Sequence, residues 1–243
     1  MAPILKIEDL SYHYGNNPDP VFAHLNLQIE DGEFIAVVGG SGVGKSTLLR
    51  CVAGLTSASH GTISLNVEED ETRRSRSVVF QDGRLMPWRR LRSNIAYGLT
   101  GLKLTAEEKR NRVDDVLKLT RLDPLADRWP HQLSGGQVQR GGIARALAVK
   151  PHLLLMDEPF SAVDAITRQH LQDQLLAIWE QTRKAVMFIT HDIEEAVYLA
   201  DRIIVLSGSP ANVVLDKPID LPRPRDRGTD RLQKMAQEIA NAL

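Results

Sequence analysis

Gly39-Gly40-Ser41-Gly42-Val43-Gly44-Lys45-Ser46-Thr47 decides how the rest of this chain is read. The stretch fits the phosphate-loop pattern G-x-x-x-x-G-K-[ST]. The apolar run Phe34 to Val38 before it has the character of a buried strand, and Ser46 to Ala53 that of an opening helix. Glycines let the backbone turn its N–H groups inward around an anion. A helix N-terminus adds partial positive charge at the same place. Lys45 is spaced to reach the outer phosphates and the Ser46 hydroxyl to ligate Mg²⁺. A chance match in a glycine-rich turn is the plain alternative, and the strand–turn–helix context counts against it. By itself the motif specifies a nucleoside triphosphate site and leaves kinase, GTPase and transport ATPase open.

The bulk composition narrows this little. At 243 residues the chain is long for one domain and short for two. An apolar content of 42% suffices for a sizeable core. The 30 basic and 31 acidic side chains leave a net charge of −1, which argues against a general nucleic-acid surface. The single cysteine, Cys51, excludes an internal disulfide and a cysteine-rich zinc site and fits a reducing compartment. Its place in the helix after the phosphate loop suits a small buried residue better than a redox sensor. Met1-Ala2-Pro3-Ile4-Leu5-Lys6 has no signal-peptide pattern, and no apolar run reaches the length of a membrane span. The expectation is a cytoplasmic protein, soluble by itself, that is still able to bind a membrane protein.

The first part of the chain has strand character over Ile4 to Leu10, Phe22 to Ile29 and Thr62 to Val67, with a loop at Asn16-Asn17-Pro18-Asp19-Pro20. Glu68 to Arg76 switches from acidic to basic and suits a solvated hairpin tip. Leu85 to about Val149 is helical in character, with Thr105-Ala106-Glu107-Glu108 as a helix start and Val113, Val116, Leu117 and Thr120 at helical spacing. The last part alternates strand and helix. Strands are expected over His152 to Met156, Ala185 to Ile189 and Ile203 to Leu206, and helices around Leu171 to Trp179 and Asp192 to Ala200. Buried strands alternating with helices imply a parallel sheet covered on both faces. Pro222-Arg223-Pro224-Arg225 has the look of a short linker, and the tail helix carries Leu232, Met235, Ile239 and Leu243 on one side. Docking on its own domain is the bland expectation for that helix, and a partner helix is the other.

Two further motifs narrow the class. Leu153-Leu154-Leu155-Met156-Asp157-Glu158 is an apolar strand ending in two carboxylates. A strand-end Asp157 can hold Mg²⁺ through water beside phosphates, and Glu158 can polarise an attacking water as general base. Leu133-Ser134-Gly135-Gly136-Gln137 precedes the helical run Gln139 to Val149, which makes a second anion-receptive surface. One protomer does not need two γ-phosphate sites, so this loop is expected to complete the site of a second, identical protomer.

Phosphate loop, Leu-Ser-Gly-Gly-Gln and Asp-Glu-Pro, in this order, resemble the nucleotide-binding subunit of an ATP-binding-cassette transporter from about Ile4 to about Leu221. The resemblance implies an α/β fold: a phosphate-loop NTPase core with a parallel sheet flanked by helices, an N-terminal antiparallel β-subdomain and an inserted α-helical subdomain. It implies one such domain over 1–243, with the helical subdomain at about 85–149 and a linker and C-terminal helix at 222–243. It implies ATP and Mg²⁺ as ligands. Tyr14, followed by Gly15, resembles the aromatic that stacks on adenine, with Tyr12 as the alternative. Gly39, Gly40, Ser41, Gly42, Val43, Gly44, Lys45, Ser46 and Thr47 would cradle the phosphates, and Ser134, Gly135, Gly136 and Gln137 would cap them from a partner copy. Gln81, in Val79-Phe80-Gln81, resembles the glutamine that reaches Mg²⁺ and senses the membrane subunit. Ser46 and Asp157 are the other implied metal contacts. Asp164, in Ser161-Ala162-Val163-Asp164, resembles the loop that communicates across the dimer, and His191 the switch histidine at the γ-phosphate. Lys45, Gln81, Glu158 and His191 carry the implied ATPase chemistry. The departures are Val163 for the usual leucine, Gly83 at a bulkier position, and Gly141-Gly142 inside a helix. Close approach of another backbone or local flexibility would explain that glycine pair.

The implied assembly is a head-to-tail homodimer with ATP at the interface, on the cytoplasmic face of the cell membrane. Its partners would be integral membrane permease subunits and, indirectly, a solute-binding protein, with no nucleic acid. Leu85-Met86-Pro87-Trp88-Arg89-Arg90-Leu91 lies where the family has a groove for a coupling helix, and subdomain packing is the alternative for Trp88. Asp157-Glu158-Pro159-Phe160 and Asp164-Ala165-Ile166-Thr167-Arg168 resemble the importer style, and the ending Leu221-Pro222-Arg223-Pro224-Arg225-Asp226-Arg227 resembles subunits of the nitrate, sulfonate and taurine importer group. An exporter subunit is the first alternative. A cassette protein acting on DNA or ribosomes is the second, and the short interval from Lys45 to Ser134 leaves no room for its long coiled-coil arm. A small-molecule kinase would leave Leu133 to Gln137 unexplained.

Overall fold

A computed structural model describes residues 2–15, 17–68 and 70–243. Position 16, in the loop expected at 16–20, and position 69, in the polar tip expected at 68–76, lie outside the described residues, as does position 1. Among the described residues the strands are β1 Leu5–Tyr12, β2 Phe22–Ile29, β3 Phe34–Gly39, β4 His60–Leu65, β5 Arg76–Val79, β6 Leu153–Asp157, β7 Ala185–Ile189, β8 Arg202–Ser207 and β9 Asn212–Pro218. The helices are α1 Lys45–Ala53, α2 Leu91–Gly98, α3 Ala106–Leu119, α4 Gly135–Ala148, α5 Ala165–Thr182, α6 Ile193–Leu199 and α7 Asp230–Ala240. The chain divides into two compact units, one of residues 1–67 with 185–243 and one of residues 68–184.

The first unit holds two sheets. In one, β1 lies between β2 and β4, antiparallel to both, with Leu5 opposite Ile29 and Leu65. Both ladders shift register beside Asp9, which sits at φ +52°. A Cβ on the facing Gly61 would lie 2.3 Å from the Asp9 carbonyl oxygen, so only glycine fits there. In the other, β3 runs parallel to β7 on one side and to β8 on the other, and β9 closes on β8 antiparallel. Every residue of β3 and β7 is buried, as expected of parallel strands covered on both faces. α1 packs on β3 and β7, α6 on β3, and α7 on α6 through Leu232, Ala236 and Ile239. Strand β9 escapes the sequence reading because its residues alternate between half-buried and exposed, as on a sheet edge.

In the second unit β5 and β6 pair in parallel, Val79 beside Met156. β5 is four residues long and opens with Arg76-Ser77, which hides it in the polar run before it. Helices α2, α3, α4 and α5 belong to the same unit. Thr105 caps α3 as expected: its hydroxyl accepts from the Glu108 N–H at 3.2 Å, and the Glu108 carboxylate accepts from the Thr105 N–H at 2.8 Å. α5 buries Leu171, Leu175, Ile178 and Trp179. The glycine pair of α4 has a packing cause. A Cβ on Gly142 would lie 2.9 Å from the Gly83 carbonyl oxygen, and one on Gly141 2.9 Å from the Leu91 side chain. Close backbone approach, rather than flexibility, accounts for Gly142. The α/β architecture, with parallel strands, flanking helices and an N-terminal antiparallel sheet, is the one the sequence implied.

Candidate functional site

In the first unit the phosphate loop joins the buried end of β3 to α1, and its glycines divide the work. A Cβ on Gly39 would lie 2.5 Å from the Leu206 carbonyl oxygen, and one on Gly44, at φ +106°, 2.6 Å from the Val21 side chain. Those two glycines seat the loop. Gly40 and Gly42 meet nothing within 4 Å, and Gly42 turns the chain at φ +80°. Helix α1 begins with no side-chain cap and no acid in its first turn. The Lys45 ammonium is buried and donates to the carbonyls of Gly39 at 2.7 Å and Gly40 at 2.9 Å. A buried cation, an uncapped helix start and open space over two glycines suit the phosphates of a nucleotide. Cys51, in α1, is buried, and burial pushes its thiol up to about 11.

The two neighbouring aromatics Tyr14 and Tyr12 differ in exposure and contacts. Tyr14 is 51% exposed, and its hydroxyl shares a 2.6 Å hydrogen bond with the Thr47 hydroxyl in the first turn of α1. Tyr12 is turned into packing, with ring centroids 5.0 Å from Tyr14 and 6.0 Å from Phe22. The exposed ring is therefore tethered to the helix that begins at the phosphate loop. His191 is exposed and follows β7 by two residues. β7 pairs with β3 in parallel, Ile189 beside Val37, so His191 and the phosphate loop leave the same edge of this sheet. Thr190 is buried, donates its N–H to the Val37 carbonyl at 3.3 Å and accepts from the Asp192 N–H at 3.0 Å. Asp192 caps α6 through the Glu195 N–H at 3.1 Å.

The second unit brings its own set together. Gln81 lies two residues past β5 and Asp157 ends β6, so both leave the same end of that parallel pair. Glu158 takes φ +44°, a left-handed conformation that costs a non-glycine residue of order 1–3 kcal/mol. The turn after it holds that conformation: the Glu158 carbonyl accepts from the Ser161 N–H at 3.2 Å and its hydroxyl at 3.0 Å, and Phe160 is buried. Asp164 caps α5 through the Thr167 N–H at 3.0 Å, and that bond holds its carboxyl below the usual range. Ser134 and Gln137 form a reciprocal cap at the start of α4, Ser134 accepting at 3.3 Å and the Gln137 side chain at 2.9 Å. A Cβ on Gly136 would lie 3.1 Å from Thr167, so the glycine lets the start of α4 sit against α5. Ser134 and Gly135 stay exposed.

The support of the Gln81 loop went unforeseen. Gln139 donates to the Phe80 carbonyl at 3.2 Å, and the Arg145 guanidinium to the Gly83 carbonyl at 2.9 Å and the Arg84 carbonyl at 2.6 Å. Asn94 is fully buried, accepts from the Met86 N–H at 2.7 Å and donates to the Arg89 carbonyl at 2.8 Å. The signal for this was present in the two departures, Gly83 and Gly142, which prove to be contact partners. Trp88 is 71% exposed and is not consumed by packing.

The chain is similar to known proteins in sequence and in fold. The family described as "ABC transporter" matches residues 22–161. The chain is 40% identical over 240 residues to the aliphatic sulfonates import ATP-binding protein SsuB of Bacillus licheniformis, covering 98% of this chain and 93% of that one. It is 45% identical over 208 residues to the nitrate import ATP-binding protein NrtD of Synechococcus elongatus, covering 83% and 76%. Among solved structures it resembles the dimeric post-hydrolysis state of the ATP-binding cassette MJ0796 bound to ADP and Pi, with TM-score 0.74 and 30% identity over 90% of this chain and 100% of that one. With a phosphate loop, a capped Ser134-Gly135-Gly136-Gln137 turn and Asp157-Glu158 at a strand end, this chain belongs to the ATP-binding-cassette transporter family.

Proposed function

We propose that this protein is the ATP-hydrolysing subunit of an importer, powering uptake of a small solute of the nitrate, sulfonate or taurine kind. The observation that carries the reading is the phosphate loop, with its buried Lys45, open Gly40 and Gly42, and uncapped α1. The sulfonate and nitrate import relatives support the solute class.

Two copies meet head to tail. The adenine of each ATP lies on Tyr14, its phosphates against Gly39 to Thr47, and its γ-phosphate receives the Ser134 hydroxyl and the Gly135 and Gly136 N–H groups of the other copy. Ser134 accepts a bond in its cap, and its O–H proton still points a donor at an anion. Lys45 and His191 stabilise charge on the transferred phosphoryl, and Glu158 takes the proton of the attacking water. Ser46, Gln81 and Asp157 are the residues that would hold Mg²⁺, which when bound neutralises charge on the phosphates. Asp164 relays the state of one site to the other copy. Hydrolysis removes the anion both copies share, and the dimer loosens.

The whole chain acts as one cassette, in which about 85–149 serves as the helical subdomain and 222–243 as a linker and closing helix. Exposed Trp88 and the segment around it dock a permease subunit. Among the described residues no helix is long and apolar enough to cross a membrane, in keeping with a peripheral place on the cytoplasmic face of the membrane. A solute-binding protein delivers the solute to the permease.

Replacing the proposed base tests the chemistry. Glu158→Gln is expected to lower kcat about 10²–10⁴-fold while retaining ATP binding and accumulating ATP-bound dimer. Hydrolysis by this variant at the wild-type rate contradicts the assignment.

A further inference from the structure

The segment Pro222 to Arg227 is built around the end of α6. The last carbonyls of an α-helix lack intrahelical donors. Here the Ala196 carbonyl accepts from the Ala200 N–H at 2.9 Å. The Val197, Tyr198 and Ala200 carbonyls accept from the Arg225 guanidinium at 2.7, 3.2 and 2.6 Å. The Leu199 carbonyl accepts from Arg223. Arg225 is itself buried, donates a further bond to the Leu221 carbonyl at 3.0 Å, and is pushed down to about 10 by burial, which leaves it a cation at neutral pH. Arg223 also pairs with Asp201. The Asp201 carboxylate accepts from the Phe34 N–H at 3.0 Å, where β3 begins. Arg227 lies over the Tyr198 ring, 3.6 Å from its centroid.

The opposite end of α6 is the Thr190–Asp192 lock that presents His191. We infer that Arg223 and Arg225 are positioning residues for ATP hydrolysis, fixing α6 so that His191 is held at the γ-phosphate. The inference rests on the role given to His191 above. Seven residues of helix span about 10 Å, so a shift at the capped end is passed along a short rigid rod. The Arg225 Nη1 meets the three α6 carbonyls while its Nε holds the Leu221 carbonyl, so the planar guanidinium ties both at once, which the single nitrogen of an ammonium cannot reproduce. A displacement of about 1 Å at a reacting centre is enough to cost about 10²-fold in rate.

The test is a double-mutant cycle on the full chain, read as steady-state ATP hydrolysis with Mg²⁺. Arg225→Lys is expected to lower kcat about tenfold or more and to change KM for ATP less than about twofold. Placed in a His191→Ala background, it is expected to add less than about twofold to the loss already caused by that change. Hydrogen exchange at amides 193–199 is expected to quicken in Arg225→Lys. Should that variant fail to fold, Arg223→Lys puts the same question with Arg225 intact. Wild-type kcat in both lysine variants, or losses that multiply in the double mutant, overturns the inference. A fully active His191→Ala overturns the His191 assignment itself, an outcome distinct from multiplying losses.

Discussion

The starts of α1 and α4 are finished in opposite ways. α1 begins at Gly44 with no side chain to cap it, a buried lysine beside it and two glycines held open. α4 begins at Ser134 with both halves of a capping box made from its own residues. An uncapped helix start leaves N–H groups that gain most from an external anion. A capped start is stable without any external anion. Under the proposed function the difference implies an order of events: the α1 end would bind nucleotide in a single chain, and the α4 end would respond to nucleotide brought by a second chain.

The largest expected effect falls on the α1 side. Lys45→Ala removes the buried cation and is expected to lower hydrolysis about 10²–10³-fold, with nucleotide affinity of the single chain falling as well. Nucleotide binding unchanged in a titration would break the comparison. On the α4 side, Ser134→Ala is expected to leave single-chain affinity intact while weakening ATP-driven dimerisation about tenfold, as loss of a hydrogen bond to a charged group would. Its loss of the cap should lower stability by about 1 kcal/mol in denaturant unfolding.

The glycine pair sharpens the α4 side. Gly142→Ala forces a Cβ against the Gly83 backbone at 2.9 Å, and overpacking of that kind costs about 1–3 kcal/mol. Gly141→Ala meets the ends of Leu91 and Leu85, which can move, so its stability should change by less than about 1 kcal/mol. Equal stabilities for the two variants would remove the backbone explanation. The smallest effect is at Cys51 in α1. Its folded thiol sits at about 11 against an ordinary 9.0, so the folded state keeps its proton where the unfolded state loses it. Its contribution to stability is therefore complete below about pH 9 and is lost as pH rises through 11. Cys51→Ala is expected to flatten the alkaline fall in melting temperature slightly.

The strands that line the phosphate loop were legible because burial on both faces makes β3 and β7 unbroken apolar runs. The cap at Thr105 was legible because capping is a matter of near neighbours. β5 and β9 were hidden, one by a polar opening and the other by its half-exposed edge position. Gly15 after it favoured Tyr14 over Tyr12 in the sequence, but the Thr47 bond of Tyr14 and the Phe22 contact of Tyr12 are tertiary and had no signal there. Arg225 looked like linker composition because its partners, the carbonyls of α6, are backbone groups that carry no sequence signature. The same holds for Arg145 under the Gln81 loop.

The claim on which the rest depends is that Ser134 of one copy closes over the phosphate loop of another. Ser41→Cys and Ser134→Cys, placed on separate chains carrying Glu158→Gln and mixed under mild oxidation, test it directly. Disulfide-linked dimer that forms with ATP and not without it is the predicted result. Chains that stay unlinked at saturating ATP, with both new thiols reactive toward a small probe, contradict it.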